Sequence, residues 1–391
     1  MPIYRNWMDC GRWRYCRFSS GMPHCAFAVT SISSTVIPSR GGATHSLTNL
    51  YFAFPHGEVG VALFFALSGF VIAPSLTTRP QKEHWARTFY RRRFGRIYPP
   101  YAITLLSCWA IVAGLGLTRH AGPDPLGYAA ILGLGFMNGI VRDTPSPFNP
   151  PMWSLEVEAQ FYILAPLIGV GLARVRAGPQ RIVLLAVFAG LCVAASAMLD
   201  VRLGFDGRFR FGLLAHAHLF LIGMLLRERY HHPGRLAVRH TGYDTLFLAS
   251  LAGMIFVGRE ITRVDTRFGG GWADVAAQAA LSIVIIGTFL GGIHGPRASR
   301  LLANRWVGAL GVMSFSIYLI HIVVMEALAT ILPRILPMTV TWQLYVVWIL
   351  LLSGSATLAG MAFFLTVERP TLVSLPRTML RQMLSPRREV G

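Results

Sequence analysis

Nine stretches of this chain, at about 58–75, 98–118, 152–172, 181–198, 211–226, 242–258, 274–293, 308–333 and 342–366, are apolar over lengths close to those of a bilayer-crossing helix. A transmembrane helix needs roughly 20 apolar residues at 1.5 Å per residue. The hydrocarbon core admits only helices or closed barrels, because backbone polar groups find no water there. The short alternating strands of a barrel are absent from the sequence. These runs therefore predict an all-α, polytopic transmembrane bundle. A further segment, 127–141, is apolar but short and glycine-rich, and it reads as re-entrant or interfacial.

The charge distribution orients the bundle. Only 14% of residues are charged, against 53% hydrophobic, yet the net charge is +19. Lys82 is the one lysine among 36 cations. The loops 76–97, 173–181, 227–241, 294–306 and 367–391 hold 22 Lys/Arg, and the intervening loops 119–151, 199–210, 259–273 and 334–341 hold 9. That bias predicts a cytoplasmic location for the first set and for the C-terminus. It explains the positive charge better than nucleic-acid binding does, so no nucleic-acid partner is expected. The alternation requires that 127–141 not cross. Nine spans then follow residue 57, and a cytoplasmic N-terminus would require a tenth before them.

Against this apolar background one stretch stands out, Pro150-Pro151-Met152-Trp153-Ser154-Leu155-Glu156-Val157-Glu158-Ala159-Gln160-Phe161-Tyr162. A carboxylate at membrane depth costs about 2.5–3.5 kcal/mol on insertion scales, so it faces a cavity or a partner. Trp153 and Glu156 also fit a polar first turn at the interface. Glu158 does not, because it lies nearly two turns inside. Glu158 and Tyr162 are four apart and share a helical face. Earlier in the chain, Arg93 and Arg96 are three apart, just ahead of Pro99, which reads as a helix start. Paired guanidinium forks suit a phosphate-rich ligand, with lipid phosphate as the competitor. Ser68 and Gly69, in the first apolar run, fit either helix packing or a ligand contact.

Ser68-Gly69-Phe70, Arg93-x-x-Arg96-x-x-Pro99, Trp153-Ser154-Leu155-x-x-Glu158-x-x-Phe161-Tyr162, Tyr318-Leu319-Ile320-His321 and Glu368-Arg369-Pro370 occur in that order. Together they resemble the acyltransferase 3 family of integral membrane O-acyltransferases, over about residues 57–371. The resemblance implies ten spanning helices, an acyl-CoA donor (usually acetyl-CoA) as co-substrate with no bound cofactor or metal, and a hydroxyl acceptor. That acceptor would belong to a surface glycan, lipopolysaccharide, exopolysaccharide or other glycosylated molecule, with membrane lipid around the protein. By position, Glu158, Tyr162 and His321 would be the catalytic group. Arg93, Arg96, Ser68, Gly69, Phe70, Trp153, Ser154 and Tyr318 would bind donor or substrate.

The domains divide as an atypical segment 1–57, a membrane-embedded acyltransferase domain 58–371 and a basic tail 372–391. The resemblance also implies a base histidine on a first helix, after a Leu-Asp-Gly-Leu-Arg start, and this sequence lacks both. The codons of Asn6-Trp7-Met8-Asp9-Cys10-Gly11, read two nucleotides later, force Leu-Asp-Gly-Leu followed by Arg or Trp. Further on, the junction of Gly21 and Met22 can encode His followed by a forced Ala. Residues 1–40 are accordingly expected to be a shifted-frame reading of the family's opening helix.

Two rivals stand beside the enzyme. One is a proton- or ion-coupled transporter using Glu158 and His321 as a relay; the absence of visible internal symmetry counts against it. The other is an inactive remnant of the acyltransferase. The five cysteines show no CxxC spacing, and Cys108 and Cys192 read as small apolar core residues. His216 and His218, two apart, make a poor metal pair and read as packing or cavity residues.

Overall fold

The computed structural model describes residues 57–77, 84–115, 125–203, 211–232, 239–267, 272–331 and 342–373. The readings made of residues 1–56 and of the basic tail lie outside the described residues. The chain runs as α1 (Gly57–Thr77), α2 (Trp85–Gly114), α3 (Leu126–Leu134), α4 (Asn138–Val141), α5 (Met152–Ala173), α6 (Pro179–Leu203) and α7 (Leu213–His231). It continues as α8 (Gly242–Arg267), α9 (Trp272–His294), α10 (Pro296–Leu302), α11 (Arg305–Ile331) and α12 (Trp342–Phe363), ending in a π-helical turn (Phe364–Glu368) and α13 (Arg369–Val373). Among the described residues there is no strand.

The chain is a multi-pass helical membrane bundle. Each of the nine apolar stretches is one helix, and seven of them are long and apolar enough to cross a membrane. The other two are α7 and α8. Charged residues explain the difference: α7 carries Arg227, Glu228 and Arg229 near its end, and α8 stays apolar only over Gly242–Gly258. The segment 127–141 is two short helices, α3 and α4, too short to cross. Large apolar side chains on the outside of the bundle, among them Leu167, Ile131, Ile283 and Leu358, are more than two-thirds exposed, as lipid contact requires.

The expectation of a helix beginning at Pro99 is corrected. Helix α2 begins at Trp85 and passes through Pro99 and Pro100. The prolines remove only the N–H groups that would reach the carbonyls of Gly95 and Arg96, a loss neighbouring groups absorb inside a membrane bundle. As a result Arg93 and Arg96 stand on a rigid helix, not on a loop.

The centre is built from α1, α5 and α7. A Cβ on Gly69 would overlap the Phe220 carbonyl of α7, and one on Gly223 would overlap the Ala66 carbonyl of α1. These two glycines let the helix backbones touch. Phe65, Phe161 and Phe220, all fully buried, stack there with centroids 4.8 and 4.1 Å apart. Helices α11 and α12 pack mainly on each other and meet the rest of the bundle through α2 and a few polar bonds.

Candidate functional site

Helix α5 organises the site. Pro150 and Pro151 precede it, and a proline at the helix start has no orphan N–H to satisfy. Ser154, Glu158 and Tyr162 then recur every four residues, forming a stripe about 12 Å long on one face. All three are buried.

In the middle of the stripe, Ser68 of α1 and Tyr162 each donate a hydrogen bond to Glu158 Oε1, both at 2.6 Å. Glu158 is 3% exposed, so its carboxylate turns into the bundle and away from lipid. At one end of the stripe, the Arg93 guanidinium lies 5.7 Å from the centre of the Tyr162 ring. Phe89 meets the same ring edge-on, and the Tyr90 hydroxyl donates to the Ile163 carbonyl at 2.8 Å, which fixes α2 along α5. The positive charges of both Arg93 and Arg96 act on Glu158, and that of Arg96 also acts on Glu368. Among the described residues, however, no ion pair within 4.0 Å joins either arginine to either carboxylate. The guanidinium groups influence the acids without being consumed by them.

Glu368 comes from the π-helical turn, a feature that often marks functional positions. Pro370, two residues on, cannot donate to the carbonyl of Thr366. Ser316 of α11 donates to Glu368 Oε2 at 2.5 Å; Oε1 is buried with no hydrogen-bond partner among the described residues.

At the other end of the stripe, Ser154 Oγ lies 2.8 Å from the Tyr318 hydroxyl, which donates to the Pro151 carbonyl at 2.9 Å. Phe64 stacks on Tyr318 at 6.4 Å. His321 Nδ1 lies 2.6 Å from the Tyr318 carbonyl, and the two rings are 5.5 Å apart. Asn149, fully buried in the loop before α5, donates to the Leu319 carbonyl at 2.6 Å.

Most of the residues singled out from the sequence are thus brought together: Ser68, Arg93, Ser154, Glu158, Tyr162, Tyr318 and His321 lie along one line, with Arg96 acting on its centre. Three are not. Gly69 faces the Phe220 backbone and serves the crossing of α1 with α7. Phe70 turns toward α7 and α9, beneath the Arg227 guanidinium at 5.2 Å and 5.5 Å from the Phe289 ring. Trp153, 4% exposed, packs among Phe65, Phe211 and His216.

The alternative that placed Glu156 in an interfacial first turn is corrected. Glu156 is fully buried on the opposite face of α5. Its carboxylate receives Gly139 N–H at 3.0 Å, Asn138 Nδ2 at 3.2 Å and the Tyr101 hydroxyl at 3.3 Å. Asn138, Asn149 and Tyr101 were missed by sequence reasoning, which quoted Glu368 in the closing Glu368-Arg369-Pro370 motif without assigning it a partner or a role. For Asn138 and Asn149 the available signal was a bare amide beside an apolar run. Among the described residues no group of three His, Cys, Asp or Glu side chains is placed to hold a metal ion.

A family model described as an acyltransferase domain matches residues 25–364, most of the chain. The chain is 35% identical over 123 residues to "Acyltransferase MdmB" of Streptomyces mycarofaciens, covering 28% of each protein. It is 26% identical over 292 residues to "Putative peptidoglycan O-acetyltransferase YrhL" of Bacillus subtilis (strain 168), covering 68% of this chain and 44% of that one. It is also 31% identical over 116 residues to an uncharacterised protein of Haemophilus influenzae, covering 27% of this chain and 46% of the other. The chain thus spans less than half the length of each of these relatives. No solved structure gives a significant match.

Proposed function

The chain belongs to the acyltransferase-domain family, whose model matches most of its length, and from that premise we propose that it is an integral membrane O-acyltransferase moving an acetyl group from acetyl-CoA to a sugar hydroxyl of a surface glycan. We place it in the bacterial cell membrane, with the basic loops and C-terminus on the cytoplasmic side, where acyl-CoA is made. The observation that carries this reading is the stripe Ser154–Glu158–Tyr162, buried in the bundle, with Arg93 at one end and both Arg93 and Arg96 acting on Glu158 without closing an ion pair on it.

Arginines left unneutralised in this way suit the diphosphate and phosphate groups of coenzyme A, which guanidinium forks bind with paired hydrogen bonds. With the phosphates held beside Arg93 and Arg96, the pantetheine arm lies along α5 and carries the thioester to the level of Glu158. The acceptor oxygen bonds to the acyl carbon, the C–S bond breaks, and the hydroxyl proton passes through a side-chain base to the departing thiolate. Glu158 and His321 are the ionisable groups that handle the proton. Tyr162 and Ser68 hold the Glu158 carboxylate by donating to it.

The peptidoglycan acceptor in the name of the Bacillus relative makes a cell-wall glycan the first acceptor to test. Membrane vesicles holding the protein, given acetyl-labelled acetyl-CoA and the glycan, are expected to deposit label as an alkali-labile ester. Equal labelling by vesicles carrying Glu158→Gln would sink the reading. Flux of the glycan without ester formation would support transport in its place. We further propose that residues 1–40 are read in a shifted frame. Sequencing the first fifty codons tests this, and a stop codon in the alternate frame rejects it.

A further inference from the structure

We infer that α10 and the adjoining ends of α7, α8, α9 and α11 form a docking surface for anionic phospholipid, with Arg297 and Arg300 at its centre. The inference goes beyond acyl transfer. It concerns other arginines than Arg93 and Arg96, and it is read without any turnover.

Two glycines and one aspartate build the surface. A Cβ on Gly291 would overlap the backbone of Phe247, so α8 and α9 touch there. That contact carries Tyr243 and Asp244, at the start of α8, to the end of α9. The Tyr243 ring lies 5.2 Å from the His294 ring. Asp244 Oδ1 accepts the backbone N–H groups of Arg297 at 3.0 Å and Ala298 at 2.9 Å. A Cβ on Gly295 would fall 2.5 Å from that same oxygen, so the tight junction needs glycine. Helix α10 is thereby pinned to the end of α8. Its 7 residues are too few to cross a bilayer, so it stays at the membrane surface.

Positive charge collects on this corner. The stretch 294–306 holds Arg297, Arg300 and Arg305 and no acid. The charges of Arg229 and Arg239 both act on His294. The nearby Asp244 spends Oδ1 on backbone N–H groups. Among the described residues no ion pair within 4.0 Å joins any of these arginines to a carboxylate. Arg297 and Arg300 are three apart on α10, and both are exposed. Guanidinium forks in this state suit a phosphate diester.

Charge alone would serve a soluble phosphate equally well. The apolar side chains beside it decide for lipid. Leu301 is 59% exposed, Leu302 46% and Trp306 68%, and the Arg305 guanidinium lies 5.0 Å from the centre of the Trp306 ring. Cations next to bare apolar side chains and an interfacial tryptophan match a molecule with an anionic head and acyl tails. The loop 173–181 offers a contrast within the same protein. It exposes Arg174 and Arg176, but no large apolar side chain of its own is exposed.

The test is native mass spectrometry of the full chain released from micelles holding equal amounts of dioleoyl phosphatidylglycerol and dioleoyl phosphatidylcholine. Wild type is expected to retain phosphatidylglycerol in roughly tenfold preference, the scale of two arginines at a lipid surface. The double variant Arg297→Gln, Arg300→Gln should bring that preference to within about twofold. The double variant Arg174→Gln, Arg176→Gln should leave it unchanged. Should the first variant fail to fold, Arg300→Gln alone is expected to lower the preference about threefold. Coenzyme A or inorganic phosphate in excess should not displace the lipid. Equal retention of the two lipids by wild type overturns the inference. So does an equal loss in the Arg174, Arg176 variant, which would make the preference a property of the whole basic face. Displacement by inorganic phosphate or coenzyme A also overturns it, by assigning the arginines to a soluble anion.

Discussion

Glu156 and Glu158 are two residues apart on one helix, both buried in an apolar bundle, and they live in opposite chemical surroundings. Glu156 meets a backbone N–H, an amide and a phenol, all belonging to the same short stretch of fold around α2, α3 and α4. Glu158 meets two hydroxyls on a single oxygen, from α1 and α5, and feels two arginines that stop short of pairing with it. One carboxylate is given over to architecture: it staples the non-crossing α3–α4 segment to α5. The other has hydroxyl partners that can rotate and two nearby cations that close no ion pair on it. Burial alone does not tell these two acids apart; the identity and rigidity of their donors do.

The sharpest way to break this comparison is to neutralise each acid in turn. Glu158→Gln is expected to lower the rate of acetyl transfer by about a hundredfold or more, the scale of a proton-transfer or electrostatic contribution. Its unfolding midpoint in detergent should stay close to wild type, because the hydroxyls of Ser68 and Tyr162 can turn toward an amide oxygen. Glu156→Gln should do the reverse. Its amide would direct N–H groups against donors that cannot turn away, a loss of about 1–3 kcal/mol seen as a lower unfolding midpoint. Whatever folded Glu156→Gln protein survives should transfer acetyl groups at nearly the wild-type rate. Loss of activity in both variants with stability intact in both would erase the distinction.

How much of this difference was legible beforehand depends on where the partners come from. Glu158 and Tyr162 are local to α5, so their four-residue spacing and the depth of Glu158 made them legible, while Ser154 came in only with the motif. The placement of Ser68, Arg93 and Arg96 near them came from motif order, which carries information that spacing does not. Glu156 was ambiguous because Tyr101, Asn138 and Gly139 reach it from segments whose mutual packing no periodicity encodes. The start of α2 was misplaced for a related reason. A double proline usually ends or begins a helix, and only tertiary surroundings that tolerate two missing N–H groups let Trp85–Gly114 continue through it.

The arginines test the functional side of the comparison more gently. Arg96→Lys keeps the charge acting on both Glu158 and Glu368 and removes the planar fork. If the fork binds donor phosphate, KM for acetyl-CoA should rise about tenfold, equivalent to about 1.4 kcal/mol, with kcat little changed. A fall in kcat at constant KM would instead make Arg96 an electrostatic partner of the carboxylates and remove it from the donor site.

The smallest expected effect tests the structural side. The Tyr101 hydroxyl lies 2.9 Å from the Gly133 carbonyl and 3.3 Å from Glu156 Oε1, so its one proton serves the carbonyl better than the acid. Tyr101→Phe removes that proton and adds no bulk. The expected loss is about 1 kcal/mol of stability, the usual net worth of one buried hydrogen bond. In a Glu156→Gln background the same substitution should be milder still, because the neutral amide offers the Tyr101 hydroxyl no charge-assisted contact to lose. Full additivity of the two would mean that Tyr101 serves Gly133 alone. The cluster around Glu156 would then reduce to Asn138 and Gly139, which are consecutive residues of one short helix, and the carboxylate would staple α4 to α5 without engaging α2.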